Sequence, residues 1–144
     1  MNVVDASLLV EYLAGGEQAE VARDAIRRER WVWAPALIDA EVGNALRRQV
    51  RAKEISAHKA GAALEDFLEM RLQRVPHRNL VERAWQLRDN VSFYDGLYVA
   101  LAEGLGAPLL TLDARLTRAP GLRAEVELVG RGGAPGLTPV PGPS

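Results

Sequence analysis

Short apolar runs alternate with longer amphipathic stretches along this chain, and this alternation constrains the fold more than any other feature. The runs NVV, WVWAP, PLLTL and VELVG have the length and composition of buried strands. The stretches between them repeat apolar residues at helical spacing. Strands that alternate with helices predict an α/β fold, with a small parallel sheet and helices on both faces.

The boundaries of the helices follow from apolar spacing and from helix-breaking residues. Gly15 and Gly16 end a first helix, and Pro35 stands where a helix accepts its first residue. A helix from Ala36 to about Arg51 is predicted after it. A further helix is predicted from about Ser56 to Leu72, with core-like spacing of Ala60, Leu64, Phe67, Leu68 and Arg71. The remaining predicted elements are a helix EQAEVARDAIRRE, an extended QRVP, helices NLVERAWQLRD, YDGLYVALAEGLG and DARLTRA, and strand VELVG.

The length of 144 residues suits one domain, predicted over residues 1–129, and residues 130–144 are a Gly/Pro-rich stretch predicted to be a flexible tail. No apolar run approaches the roughly 20 residues of a membrane span, so no membrane association is expected. The chain has no cysteine, and acids interrupt its apolar start, which argues against a signal peptide. We therefore expect a cytoplasmic protein.

The net charge of −1 gives no overall attraction to nucleic acid. Nearly all positive charge is arginine, whose planar fork suits phosphate, although a GC-rich genome explains the same bias. Arg47, Arg48 and Arg51 follow Glu41 on one helix and could form a local basic strip.

Four acids stand where folding does not require them. Asp5 and Asp113 end apolar strands, Asp95 opens a helix, and Glu41 lies inside one, on the same side as apolar residues. The carboxyl ends of neighbouring strands face a common crevice in a parallel α/β sheet. Carboxylates gathered there repel one another unless a cation joins them, and oxygen ligands favour Mg²⁺ or Mn²⁺. The four acids therefore predict a divalent-metal site.

Helix capping is the ordinary alternative for three of these acids. Asp5 and Asp113 each precede a helix, and Ser92 with Asp95 matches a capping box. Capping does not explain Glu41, whose alternative is a buried ion pair with an arginine such as Arg48.

Three small polar residues accompany the acids. Ser7 and Thr111 each lie two residues from a strand-end aspartate, and Asn44 lies three residues after Glu41. These side chains could orient the carboxylates or hold metal-bound water. Ser7 and Thr111 could equally bond only to nearby backbone.

Four segments together resemble the PIN-domain ribonucleases, and most of all the VapC toxins of toxin–antitoxin pairs. They are VVDAS at the start, EVGNAL around Glu41, YDGLYVALA around Asp95 and TLDARL around Asp113. The likeness covers roughly residues 1–129, and the order and spacing of the segments make it specific. It implies a PIN-like three-layer fold.

The resemblance also implies an activity and a set of partners. The implied activity is that of a Mg²⁺- or Mn²⁺-dependent endoribonuclease that cleaves RNA phosphodiesters by metal-activated water and leaves a 5′-phosphate and a 3′-hydroxyl. Its ligands match Asp5, Glu41, Asp95 and Asp113, with Ser7 and Asn44 in supporting positions. The family further implies a homodimer and an inhibiting antitoxin. Asp39 has no counterpart in the family pattern, and its helical position turns it about 200° away from Glu41.

Two other functions fit parts of the pattern. A phosphoaspartate hydrolase also uses an aspartate after its first strand, but such enzymes resembling haloacid dehalogenases carry a second aspartate where this chain has Ser7. An RNA-binding or sequestering module with a structural metal and little turnover is the non-enzymatic alternative. His58 and His77 are predicted surface residues without a catalytic part, and the three tryptophans are predicted core or dimer contacts.

Overall fold

Five short strands pair in parallel into one sheet in a computed structural model that describes residues 1–130. The strands are β1 (Asn2–Val4), β2 (Val32–Pro35), β3 (Leu72–Val75), β4 (Leu109–Thr111) and β5 (Val126–Leu128). Their order across the sheet is β3-β2-β1-β4-β5. The chain moves outward in one direction from β1 to β3 and then in the other from β4 to β5. The predicted α/β class and parallel sheet are confirmed.

Seven α-helices flank this sheet within residues 1–130. They are α1 (Ala6–Ala14), α2 (Ala19–Arg27), α3 (Ile38–Arg51), α4 (Ala57–Glu69), α5 (Val81–Gln86), α6 (Phe93–Leu105) and α7 (Ala114–Thr117), with one turn of 3₁₀ helix at Arg78–Leu80. None of these helices is long and apolar enough to span a lipid bilayer.

Helix α6 is the most deeply buried helix and packs against the central strands. All seven residues from Gly96 to Ala102 are buried, so this helix lacks the polar stripe of an ordinary surface helix. It contacts β1, β2 and β4. Its first turn therefore lies near the carboxyl ends of the central strands, where two of the four acids are found.

The structure corrects several predicted boundaries. Pro35 is the last residue of β2 and does not open the next helix, which begins at Ile38. The helix predicted to reach Leu72 ends at Glu69, because Leu72 pairs with Val32 in the sheet. The stretch NLVERAWQLRD is divided between a 3₁₀ turn and the short helix α5.

Two predicted core leucines are not in the core. Leu64 and Leu68 of α4 are 38% and 73% exposed, while Ala60, Ala63 and Phe67 form the buried face of that helix. The predicted core positions of Ala60 and Phe67 are confirmed, whereas those of Leu64, Leu68 and Arg71 are wrong.

The structure also locates the three tryptophans, which were predicted as core or dimer contacts, and His77, which was predicted at the surface. Trp31 and Trp85 are exposed and belong to no core, whereas Trp33 is partly buried against it. His77 is half-buried, and its Nε2 accepts a hydrogen bond of 2.9 Å from the backbone N–H of Leu37. This contact satisfies the N–H of Leu37, the N-cap residue of α3, whose own side chain makes no capping hydrogen bond. The tail predicted over 130–144 lies, apart from Gly130, outside the described residues.

Candidate functional site

Asp5 directly follows β1 and is almost completely buried. Its backbone is extended and it caps α1, since its carboxylate accepts the Leu8 N–H at 3.2 Å. The Ser7 hydroxyl also donates to it, at 2.7 Å, and the Thr111 hydroxyl donates to its other oxygen. Burial raises the pKa of Asp5 to about 6, with a smaller contribution from the charge of Asp95, even though these hydrogen bonds favour the ionised form.

Asp113 lies two residues beyond β4, the strand that pairs with β1. Thr111 connects the two strand ends, because its hydroxyl donates to Asp5 and accepts the Asp113 N–H at 2.9 Å. The Arg115 guanidinium donates to both oxygens of Asp113, at 3.1 and 2.9 Å. This hydrogen bonding lowers the pKa of Asp113.

Glu41 was predicted well inside its helix, but it lies in the first turn of α3, because the helix begins at Ile38, and it is half-buried. The Tyr98 hydroxyl of α6 donates to its Oε1 at 2.6 Å. Burial raises the pKa of Glu41, and the charge of Asp95 adds to this effect. Among residues 1–130 Glu41 forms no ion pair with Arg48, so the alternative of a buried salt bridge is not found.

Asp95 is the electrostatic centre of the four acids. It lies in the first turn of α6, where the Ser92 hydroxyl accepts its backbone N–H at 3.0 Å, as the capping motif predicts. Burial raises the pKa of Asp95, and the nearby Asp113 charge raises it further. The charge of Asp95 in turn raises the pKa of both Asp5 and Glu41. Carboxylates from four elements thus share one negative field.

Each of the four acids nevertheless has a side-chain partner of its own. As the side chains lie, no three histidine, aspartate or glutamate side chains within residues 1–130 converge closely enough to hold one metal ion. These partners are hydroxyl groups and an exposed arginine. The carboxylates would therefore have to come closer together, by small shifts of backbone or side chains, before three of them could share a cation.

A groove of about 810 Å³ runs between α1 and α3 and ends at the acids. Ser7, Glu41 and Tyr94 line it at the acidic end. Asn44 and Arg48 follow at intervals of a helical turn along α3. A smaller cavity of about 370 Å³ lies on the other side of Asp95, which lines it together with Asp113 and Arg115. Arg48 therefore lines the same opening as Glu41, and Arg115 lines the same opening as Asp95 and Asp113.

Comparisons with known proteins identify the family. The model of the PIN domain matches residues 3–122. The chain belongs to the PIN-domain family. It is 50% identical over 128 residues to Ribonuclease VapC1 of Mycobacterium tuberculosis, covering 88% of this chain and 96% of that protein. It is 42% identical over 129 residues to Ribonuclease VapC12 of the same species, covering 90% and 99%. The resemblance to VapC ribonucleases is thereby confirmed.

A solved structure shares the fold of this PIN-domain chain at much lower identity. The crystal structure of Mycobacterium tuberculosis VapC20, described as a Sarcin-Ricin loop cleaving toxin, is matched with a TM-score of 0.66 at 19% identity. The match covers 87% of this chain and 99% of that one. This similarity supports the PIN-like arrangement of sheet and helices.

The positions of the predicted site residues can now be stated. Asp5 and Thr111 are buried and bonded to each other, with Ser7 beside them. Asn44 is exposed on the groove wall and makes no hydrogen bond with an acid in the described structure. Asp39 is off the face of Glu41 as predicted, and Arg74 pairs with it at 2.7 Å.

Sequence reasoning overlooked Tyr98 and Arg115. A tyrosine within the otherwise apolar stretch GLYVALA was a usable signal for the first, because a buried hydroxyl requires a partner. No comparable signal existed for Arg115, since an exposed arginine near an aspartate is common on protein surfaces.

Proposed function

We propose that this PIN-domain protein is a divalent-metal-dependent endoribonuclease and the toxin of a toxin–antitoxin pair. The proposal depends above all on one observation: the Thr111 hydroxyl donates to Asp5 and accepts the Asp113 N–H, so two acids lie side by side at the carboxyl ends of neighbouring central strands. Close relatives over nearly the whole chain are named ribonucleases. A nuclease needs a device that offsets the charge of a phosphodiester, and a bound dication on an acidic cluster is such a device.

The ligand chemistry of the cluster fits Mg²⁺ or Mn²⁺. All four candidate ligands, Asp5, Glu41, Asp95 and Asp113, offer hard oxygen atoms, and the described residues include no cysteine. Three of the four have a raised pKa, so a nearby cation would stabilise their ionised forms. A bound divalent ion would supply Lewis acidity at the phosphate and a water of lowered pKa.

Residues around the acids would position the ligands and the RNA. Ser7 and Thr111 hold the Asp5 carboxylate from two sides, which restricts its rotation. Asn44, on the groove wall, can hydrogen-bond water or ribose. Arg48 can bind a backbone phosphate along the groove, since its guanidinium offers a bidentate fork. Hydrolysis of the P–O3′ bond by water would leave a 5′-phosphate and a 3′-hydroxyl.

The proposed partners follow from the family. A cognate antitoxin would inhibit the enzyme by covering the acidic cleft, and two copies of the chain would form a homodimer. The exposed side chains of Trp31 and Trp85 are available for a protein interface, where large aromatic residues are enriched. The RNA substrate implies action in the cytoplasm.

Cleavage assays with Asp95→Asn test the proposal. Asparagine leaves the backbone N–H of residue 95 bonded to Ser92 and removes one negative charge. We expect the metal-free variant to melt at the same or a higher temperature than the wild type, because repulsion among the acids falls. RNA cleavage in Mg²⁺ or Mn²⁺ should drop to the level seen with EDTA.

Asp89→Asn is the matched control, because Asp89 is an exposed carboxylate that lines neither cavity. It should cleave RNA like the wild type. Full activity of Asp95→Asn would contradict the proposed site. RNA binding without cleavage by the wild type in any divalent metal would instead favour the sequestering module. Toxicity on induced expression, relieved by Asp5→Ala, would support the role as a toxin.

A further inference from the structure

Tyr98 connects the most buried helix of the protein to the acid that capping cannot explain. Its hydroxyl donates to Glu41 Oε1 at 2.6 Å, although the two residues are 57 positions apart in the sequence. The distance is short for a hydroxyl–oxygen hydrogen bond and is typical of a charge-assisted one. Helices α3 and α6 are thus joined by a polar contact at the edge of the acidic cluster.

The position of the Tyr98 hydroxyl is tightly fixed. The side chain is only 1% exposed and is among the largest fully buried side chains of the protein. A tyrosine has only two side-chain torsions, and the packing of the ring against the core leaves neither of them free. The core therefore fixes the position of the Tyr98 hydroxyl. The side chain of half-buried Glu41 is the one that adjusts its conformation to form the hydrogen bond.

The hydrogen bond from Tyr98 occupies only one of the two carboxylate oxygens of Glu41. Oε1 is taken by Tyr98, whereas Oε2 makes no hydrogen bond among residues 1–130. Glu41 also lines the groove at its acidic end. A glutamate without a partner would rotate among several side-chain conformations, and fixing one of them reduces the entropy lost when a ligand binds.

We propose that Tyr98 is a positioning residue, which holds Glu41 through Oε1 so that Oε2 is presented to the divalent cation. The inference rests on the proposed function, since it assigns Glu41 to the metal. Nothing in it requires Tyr98 to touch RNA or to exchange a proton. Partners of this kind, which orient a metal ligand, commonly change metal affinity or activity 10- to 100-fold when they are removed.

The alternative is that the hydrogen bond serves the core alone. A buried hydroxyl needs a partner, and Glu41 could be present only to satisfy it. The two roles differ in what Tyr98→Phe does to a folded protein. A purely structural bond affects stability and leaves metal affinity unchanged, whereas a positioning bond affects metal affinity.

The test is Mn²⁺ binding by isothermal titration calorimetry to Tyr98→Phe, which keeps the ring and removes only the hydroxyl. We expect Mn²⁺ affinity to fall about 10- to 100-fold. In RNA cleavage at saturating Mn²⁺, kcat should fall with little change in KM, since the bond positions a metal ligand and does not bind RNA. The double variant Glu41→Gln with Tyr98→Phe should bind Mn²⁺ no more weakly than Glu41→Gln alone.

Tyr12→Phe is the matched control, because Tyr12 is a partly buried tyrosine of α1 that packs against the core and lines neither cavity. It should bind Mn²⁺ like the wild type. Unchanged Mn²⁺ affinity in folded Tyr98→Phe would overturn the inference, and so would loss of the fold, because the hydroxyl would then serve the core. A wild type that binds Mn²⁺ but does not cleave RNA would contradict the proposed function while leaving the Tyr98 test valid.

Discussion

Asp5 combines a folding role with an electrostatic cost. It caps α1 and receives three hydrogen bonds, two from hydroxyl groups and one from the backbone. Even so, burial raises its pKa to about 6, so desolvation outweighs all three bonds. A residue selected only as a cap would not need such burial, since an exposed aspartate caps equally well. The cost is understandable if a cation offsets it.

This raised pKa gives a pH dependence that can be measured on the metal-free protein. The pKa of Asp5 rises from 3.8 to about 6 on folding. Between these two pH values the folded state therefore keeps a proton on Asp5 that the unfolded state has lost. The resulting stabilisation is present below about pH 4 and is lost as pH rises through 6, by on the order of 3 kcal/mol. We expect the unfolding free energy of the wild type minus that of Asp5→Asn to fall by this amount between pH 4 and 7.

Urea denaturation in EDTA at several pH values provides the measurement. Comparing the wild type with a single variant cancels most contributions of other acids, including Asp113, whose lowered pKa acts in the opposite direction. A difference between the wild type and Asp5→Asn that stays constant from pH 4 to 7 would show that Asp5 is not desolvated as described.

At the scale of elements, the position of α6 depends on its close approach to α5. Gly96 follows Asp95 in the first turn of α6, and a Cβ at Gly96 would lie 3.1 Å from the Cα, Cβ and carbonyl oxygen of Ala84. Two of these atoms belong to the backbone, so they cannot move without shifting α5. The glycine thus allows the two helices to pack at the distance that places Asp95 and Tyr98 beside the sheet.

Gly96→Ala should therefore destabilise the protein by about 1–3 kcal/mol through overpacking. Gly104→Ala is the matched control in the same helix, since nothing lies within 4 Å of a Cβ at that position. It should stabilise the protein by about 0.5–1 kcal/mol, because alanine loses less backbone entropy in a helix. Urea denaturation distinguishes them, and equal effects of the two substitutions would contradict the packing described for α5 and α6.

At the scale of the whole molecule, the sheet topology brings distant acids together. Strands β1 and β4 are neighbours at the point where the strand order reverses, which is where parallel α/β sheets bind ligands. The sequence predicted this meeting because Asp5 and Asp113 each end an apolar run. The cap of α6 by Ser92 could also be predicted from the sequence, since this hydrogen bond joins residues only three positions apart.

Contacts between distant parts of the chain could not be read from local patterns. Tyr98 of α6 meets Glu41 of α3 through a single side-chain hydrogen bond across 57 positions, and no spacing in the sequence encodes that pairing. Leu64 and Leu68 illustrate the same limit, because several faces of a short helix can carry leucines and only the tertiary structure selects which one is buried. The hydrogen bond from Leu37 to His77 likewise joins segments 40 residues apart.

The central claim is that carboxylates from four separate elements bind one divalent metal site. Anomalous diffraction from crystals grown with Mn²⁺ tests it most directly, because it locates the metal independently of activity. We predict an anomalous peak bounded by carboxylate oxygens of Asp5, Glu41, Asp95 and Asp113, and its loss in Asp95→Asn. Crystals with Mn²⁺ at concentrations that support RNA cleavage but with no peak among these residues, or with a peak elsewhere, would contradict the claim.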